Sequence, residues 1–345
     1  MMHKKLGCCL ALLTAMTLAV SAAPFVSAQE NFYRSELTGE WISDSLKDQR
    51  PIAVMVDNES ISLPHFGTAS ADVVYELMNS TANQRITRLM VLVKDWGKIT
   101  QFGNIRSTRS SNIPLAGEWN AILVHDGGPF YVDEYFAKDY AREHLSGGFS
   151  RIPNGKPTEF TEYVCTGEIA SRIQAANYSA TYNSFRNEDQ SHFRFVEGED
   201  EVVDLQKTYG AGSIATRAVS LPFYHNSTTL RRNVDTGKYD YYEYGQLYTD
   251  GIDGRMLSFD NIILQDTGFR ELDGNGYMIY DLIGENQPAY YITRGFAIPV
   301  TWTKKSETDI TRYYDAAGNE IMMNRGTTYV ALIPADTWTE VTLIN

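Results

Sequence analysis

Ile52-Ala53-Val54-Met55-Val56 is an unbroken apolar run, closed by the polar pair Asp57-Asn58. A short apolar run with a polar stop reads as a strand buried on both faces. Val73-Val74-Tyr75-Glu76-Leu77-Met78 and Leu89-Met90-Val91-Leu92-Val93 read the same way, as does Ala121-Ile122-Leu123-Val124, stopped by His125-Asp126-Gly127-Gly128. Three stretches between and after these runs carry helical signals. Ser107 to Trp119 offers Ser and Thr as caps, Tyr131 to Leu145 spaces apolar and aromatic residues by three and four, and Thr166 to Ala176 puts Ile169, Ile173 and Ala176 on one face. Buried strands alternating with helices predict an α/β layered domain over residues 50–182.

Outward from this block the pattern changes. Residues 183–218 are polar and irregular and read as a connector. Residues 219–345 are mainly β, with short aromatic and β-branched runs between turns at Asn233 to Gly237, Asp250 to Gly254, Asp273 to Gly276, Asp315 to Gly318 and Asn324-Arg325-Gly326. That spacing predicts a mainly antiparallel C-terminal domain, a sandwich or barrel. On the other side, residues 29–49 read as an extended lead-in.

The first 28 residues have the layout of an export signal: Lys4-Lys5, an apolar stretch from Leu6, then Val26-Ser27-Ala28 with small residues for a peptidase. Cleavage is expected before Gln29, with no transmembrane segment remaining. The alternative is an uncleaved anchor, since Leu6 to Val26 matches the roughly 20 residues that span a bilayer. Cys8 and Cys9 precede most of the apolar run, so they are misplaced for lipid attachment. Cys165 is then the single thiol, no internal disulfide forms, and the fold must rest on its core. The formal charge of −13 becomes −15 without Lys4 and Lys5. Such a chain is a poor partner for nucleic acid or an anionic membrane surface.

Against that acidic background one basic cluster stands out, Gly103-Asn104-Ile105-Arg106-Ser107-Thr108-Arg109. A helix starting near Ser107 turns free N–H groups outward, and Arg106 and Arg109 offer planar forks suited to phosphate or carboxylate. Arg85 and Arg88 are expected to join them. The competing expectation is that these arginines pair with local acids such as Asp72 and Glu76. Asp72 and Glu76 lie four apart and share a strand face, and either can serve as base or metal ligand. His125, at the end of a buried strand, can act as acid, base or ligand or simply bond its own loop. No histidine has metal-ligand spacing, and the Gly-x-Ser-x-Gly, P-loop, His-Glu-x-x-His and EF-hand patterns are absent; no cofactor is indicated. Cys165 reads as buried, and Trp302, Tyr313, Tyr314 and Tyr329 as packed aromatics.

Taken together the chain resembles the YerB-like family of bacterial exported proteins, many of them lipoproteins. The likeness rests on Arg50 to Asn58, Ala71 to Glu76, Arg85-Ile86-Thr87-Arg88, Gly103 to Arg109 and His125 to Gly128, then on Asn261 to Gln265, Trp302-Thr303-Lys304 and Asp315 to Gly326. It departs at Ala28-Gln29, where relatives carry a lipidated cysteine, at Thr81-Ala82-Asn83-Gln84 and at Thr158. The resemblance implies a two-domain fold and an extracytoplasmic address, and no mechanism. The leading expectation is an envelope protein that holds an anionic cell-wall ligand through the arginines and docks a partner through its β domain. A rival, by fold-level analogy with LytR–CpsA–Psr phosphotransferases, is an enzyme on phosphate-linked polymers with Asp72 as base. A third is a structural protein whose arginines are internally paired.

Overall fold

A computed structural model of the chain describes residues 31–187 and 191–345. The expected export signal lies outside the described residues. The four apolar runs form the strands Ile52–Asp57, Val73–Met78, Thr87–Val93 and Ile122–His125, buried along their whole length. Alternation explains why the runs are unbroken. Val54, Val56, Val74, Val91 and Val124 enter one core, while Ala53, Met55, Tyr75, Met90 and Leu123 enter a second on the opposite face.

The strands pair as a mixed sheet, which corrects the layered α/β expectation. Ile52–Asp57 runs antiparallel to Thr87–Val93 and parallel to Ile122–His125, and Val73–Met78 runs antiparallel to Thr87–Val93. Residues 79–86 supply less than the dozen or so residues a parallel crossover needs, so the chain turns back on itself. Helix is also scarcer than expected. Glu168–Ala176 forms as read, but the first segment narrows to Asn112–Glu118, and Tyr131 to Leu145 yields only Asp133–Phe136 between tight turns before the strand His144–Ser146. There the aromatic spacing serves ring packing, with Phe136 stacked 3.7 Å from His144 and 5.1 Å from His125. The lead-in forms a small hairpin, Phe32–Arg34 with Trp41–Ser43.

The second half continues the same sheet. Thr328–Pro334 lies between Asn261–Thr267 and Val73–Met78, parallel to both. Gly284–Thr293 and Phe296–Lys304 extend it in antiparallel fashion, giving eleven strands. A six-stranded antiparallel sheet built around Thr229–Arg232 and Tyr239–Glu243 covers one face. Its Leu230, Tyr239 and Tyr241 share a core with Val54, Val74 and Val91. The predicted turns close as expected, with Gly237, Gly254 and Gly318 donating back to Asn233, Asp250 and Asp315 at 2.9 Å.

Gly326 has φ +122°, and a Cβ there would stand 2.0 Å from Asp260 Oδ2. That oxygen accepts the Thr327 N–H at 2.9 Å, so it cannot simply move away. Gly326→Ala is therefore expected to cost about 3 kcal/mol from strain and displaced contact. Urea unfolding checks this: a lower midpoint at unchanged slope is expected, and an unchanged midpoint contradicts it.

Candidate functional site

The ends of two parallel strands set the site. Ile52–Asp57 and Ile122–His125 are neighbours, and both finish on the same sheet edge with polar residues. Residues 103–109 lie across these ends: Arg106 N–H donates to Met55 O at 2.9 Å, Asp126 N–H to Arg106 O at 3.0 Å, and Thr108 N–H to Gly127 O at 3.0 Å. The segment is thus held by strand-end carbonyls and does not begin a helix, which corrects the expected helix-start anion site. The nearby helix starts only at Asn112, and Asn112 Oδ1 accepts the Arg109 N–H at 2.9 Å.

Arg106, Arg109 and Arg88 come together here. Arg88 sits opposite Asp57 in the sheet register, and its Nη1 reaches Ser107 Oγ at 2.9 Å. Arg109 Nη1 reaches the same hydroxyl at 3.2 Å and Thr108 O at 2.8 Å, while its Nε donates to Asn79 O at 3.2 Å. Arg106 Nε stands 2.6 Å from Asp57 Oδ2 as an ion pair without hydrogen-bond alignment, and Arg88 Nη2 is 4.0 Å from that oxygen. Asp57 is buried, so one carboxylate serves both neighbours; the rim residue Glu159 adds a second pair to Arg106 at 2.9 Å. Arg88 Nε, Asn79 Oδ1 and Asn112 Nδ2 are buried and find no partner among the described residues.

The electrostatics follow from this crowding. Burial, then the positive charge of Arg109, pushes Arg88 down to about 9. Burial pushes Arg109 down to about 10, with Arg106 adding repulsion. Both remain cationic at neutral pH. Three guanidinium groups therefore crowd round the buried Asp57 carboxylate, with Glu159 paired to Arg106 on the rim and the charge of Glu59 also acting on Arg88.

The other sequence candidates lie elsewhere. Arg85 forms a fork with Asp336, at 2.9 and 2.5 Å. Asp72 precedes Val73–Met78 at the end opposite Leu77, which pairs with Arg88, so about five residues of strand, roughly 17 Å, separate it from the arginines. It does not join their site. Glu76 is wholly buried among neutral donors. His125 is buried, and its Nδ1 lies 2.8 Å from Gly127 O and its Nε2 2.9 Å from His144 Nδ1. A carbonyl only accepts, so His125 carries its proton on Nδ1 and its Nε2 accepts a hydrogen bond from His144 Nδ1–H; burial pushes its pKa down to about 4. Cys165 is partly exposed at a strand end and not buried as expected. Sequence reading missed Asp57, although an acid ending an apolar strand was a visible signal.

Two family models match the chain, the DUF3048 N-terminal domain over residues 37–179 and the DUF3048 C-terminal domain over residues 219–330, each described as a protein of unknown function. The chain belongs to the DUF3048 family. A curated relative, "Putative lipoprotein YerB" of Bacillus subtilis, is 24% identical over 258 residues, covering 72% of each chain. The crystal structure of the Bacillus subtilis YerB protein matches with a TM-score of 0.74 at 18% identity, covering 91% of this chain and 100% of that one. The two chains thus share a fold at low identity. No helix among the described residues is long and apolar enough to cross a membrane.

Proposed function

We propose that this protein works outside the cytoplasm as a receptor for a small phosphate- or carboxylate-bearing ligand, held by Arg88, Arg106 and Arg109. The address is supported by the export-like first 28 residues and by the lipoprotein name of the Bacillus subtilis relative. The observation that carries the ligand class is the convergence of Arg88 and Arg109 on the Ser107 hydroxyl, with Arg106 beside them and Asp57 as the buried counter-charge. Guanidinium forks bind phosphate oxygens through paired, charge-assisted hydrogen bonds. The site also lies at the carboxyl ends of adjacent parallel strands, a favoured place for ligands in open sheets. A phosphotransferase built on Asp72 is not supported, because that carboxylate is a strand length away.

Calorimetric titration of residues 29–345 with inorganic phosphate and pyrophosphate tests the reading. Saturable binding is expected, weakened about tenfold or more by Arg109→Met and more strongly by Arg106→Met with Arg109→Met. Binding that survives the double substitution removes the assigned site.

A further inference from the structure

A second cavity, of about 400 Å³, opens at the other end of the Val73–Met78 strand. Its walls come from both family segments: Ile99 and Phe102 from the first, Ile252 and Arg255 from the second. Volume and mixed lining suit one small organic ligand. Asp72 lines it, held rigidly because its N–H donates to Leu92 O at 2.9 Å and its C=O accepts from Thr328 N at 3.1 Å.

The charged groups around the cavity are settled internally, with one exception. Asp95 pairs with Lys98 at 2.6 Å, and Asp253 with Arg255 at 2.7 Å. Asp250 accepts the N–H groups of Gly67, Ala69 and Ile252 at 3.0, 2.9 and 2.8 Å. Lys94 turns its ammonium away, to Glu36 at 2.6 Å and to Tyr182 OH at 3.0 Å. Asp72 receives the Lys94 backbone N–H on Oδ2 at 2.6 Å, and the cationic side chains that line the cavity are paired with other carboxylates. A carboxylate without a directly paired cation beside apolar walls selects a cation that brings its own apolar body.

We infer that this cleft binds a primary ammonium group on a short aliphatic chain, with Asp72 as its counter-ion and Ile42, Ile99 and Ile252 against the chain. The cleft uses none of the arginines of the anion site. Burial pushes the Asp72 carboxyl up to about 7; the Lys94 backbone N–H and the Lys94 charge work against that rise, while Glu36 and Asp95 add repulsion. The ligand-binding form is therefore dominant at pH 8 and scarce at pH 6.

Butylammonium is the probe, followed by heteronuclear chemical-shift titration of residues 29–345, with n-butanol as the uncharged match. A capped Gly-Lys-Gly peptide asks whether the amine is taken free or from a peptide side chain. Saturable shifts at Ile42, Ile99 and Ile252 are expected with butylammonium, with binding about tenfold weaker at pH 6 than at pH 8, and absent in Asp72→Asn. Asparagine keeps an oxygen for the Lys94 N–H, and a thermal melt verifies that the variant is folded. Equal binding of n-butanol by the parent protein overturns the inference, as does undiminished binding of butylammonium by folded Asp72→Asn.

Discussion

Replacing Glu118 by glutamine is expected to cost about 3–5 kcal/mol of folding free energy, the loss typical of a buried ion pair stripped of one partner. Glu118 ends the Asn112–Glu118 helix and is fully buried. Its Oε1 lies 2.9 Å from Lys304 Nζ, itself buried, and its carboxylate accepts from His192 Nε2 at 2.7 Å and from Thr311 N and Oγ1 at 3.0 Å. Burial alone raises this carboxyl, but Lys304 and His192 outweigh it and hold it down to about 2. A depressed carboxylate contributes stability that is complete above its unfolded value, near 4.5. That contribution is lost as pH falls from there toward 2. Chemical unfolding at pH 7 and pH 3 measures both effects: the deficit of Glu118→Gln should be large at pH 7 and smaller at pH 3. Adding Lys304→Met should recover much of it by removing the stranded ammonium. A pH-independent loss, or one under about 1 kcal/mol, contradicts the account. Because Glu118 lies in the first family segment and Lys304 and Thr311 in the second, the parent should unfold in one transition.

How far the fold was legible follows from which interactions are local. The strands from Ile52 to His125 were readable because burial on both faces forces unbroken apolar runs. The Asp72–Glu76 alternation and the glycine turns are local as well. Partner choice is not. Nothing near Tyr329 announces that its strand lies parallel to Val73–Met78, because that register is decided by shape and burial across the whole sheet. The site divides in the same way. Arg106 and Arg109 are near neighbours and were visible as a pair, whereas Arg88 joins them only because antiparallel pairing sets it opposite Asp57. Arg85, equally suggestive in sequence, is carried off by Asp336 from the far end of the chain. Helix was over-read where aromatic spacing at Phe136 reflects stacking on two histidines.

Glu76→Leu should be at least as damaging as the loss of Glu118, at about 4 kcal/mol or more, because it strands a whole shell of donors. The Glu76 carboxylate accepts from Asn58 Nδ2 at 3.3 Å, Thr87 Oγ1 at 2.8 Å, Asn226 Nδ2 at 2.8 Å, Thr228 Oγ1 at 2.9 Å, Tyr241 OH at 2.9 Å and Tyr329 OH at 2.6 Å. These donors come from both halves of the chain, and each one buried without an acceptor costs about 1–3 kcal/mol. A side chain so enclosed has no route to substrate, so the role that fits Glu76 is structural. Its neighbour Glu243 is buried too, with neither carboxylate oxygen partnered among the described residues. Burial, reinforced by the charge of Glu76, pushes the Glu243 carboxyl well above its ordinary value. A raised carboxyl contributes stability that is full below the unfolded value near 4.5 and is lost as pH climbs toward the folded value. Glu243→Gln, which is neutral at every pH, should therefore gain on the parent between pH 5 and pH 8 in urea unfolding. Equal differences at the two pH values would mean that Glu243 is ionised in the folded state and that the donor shell serves both carboxylates.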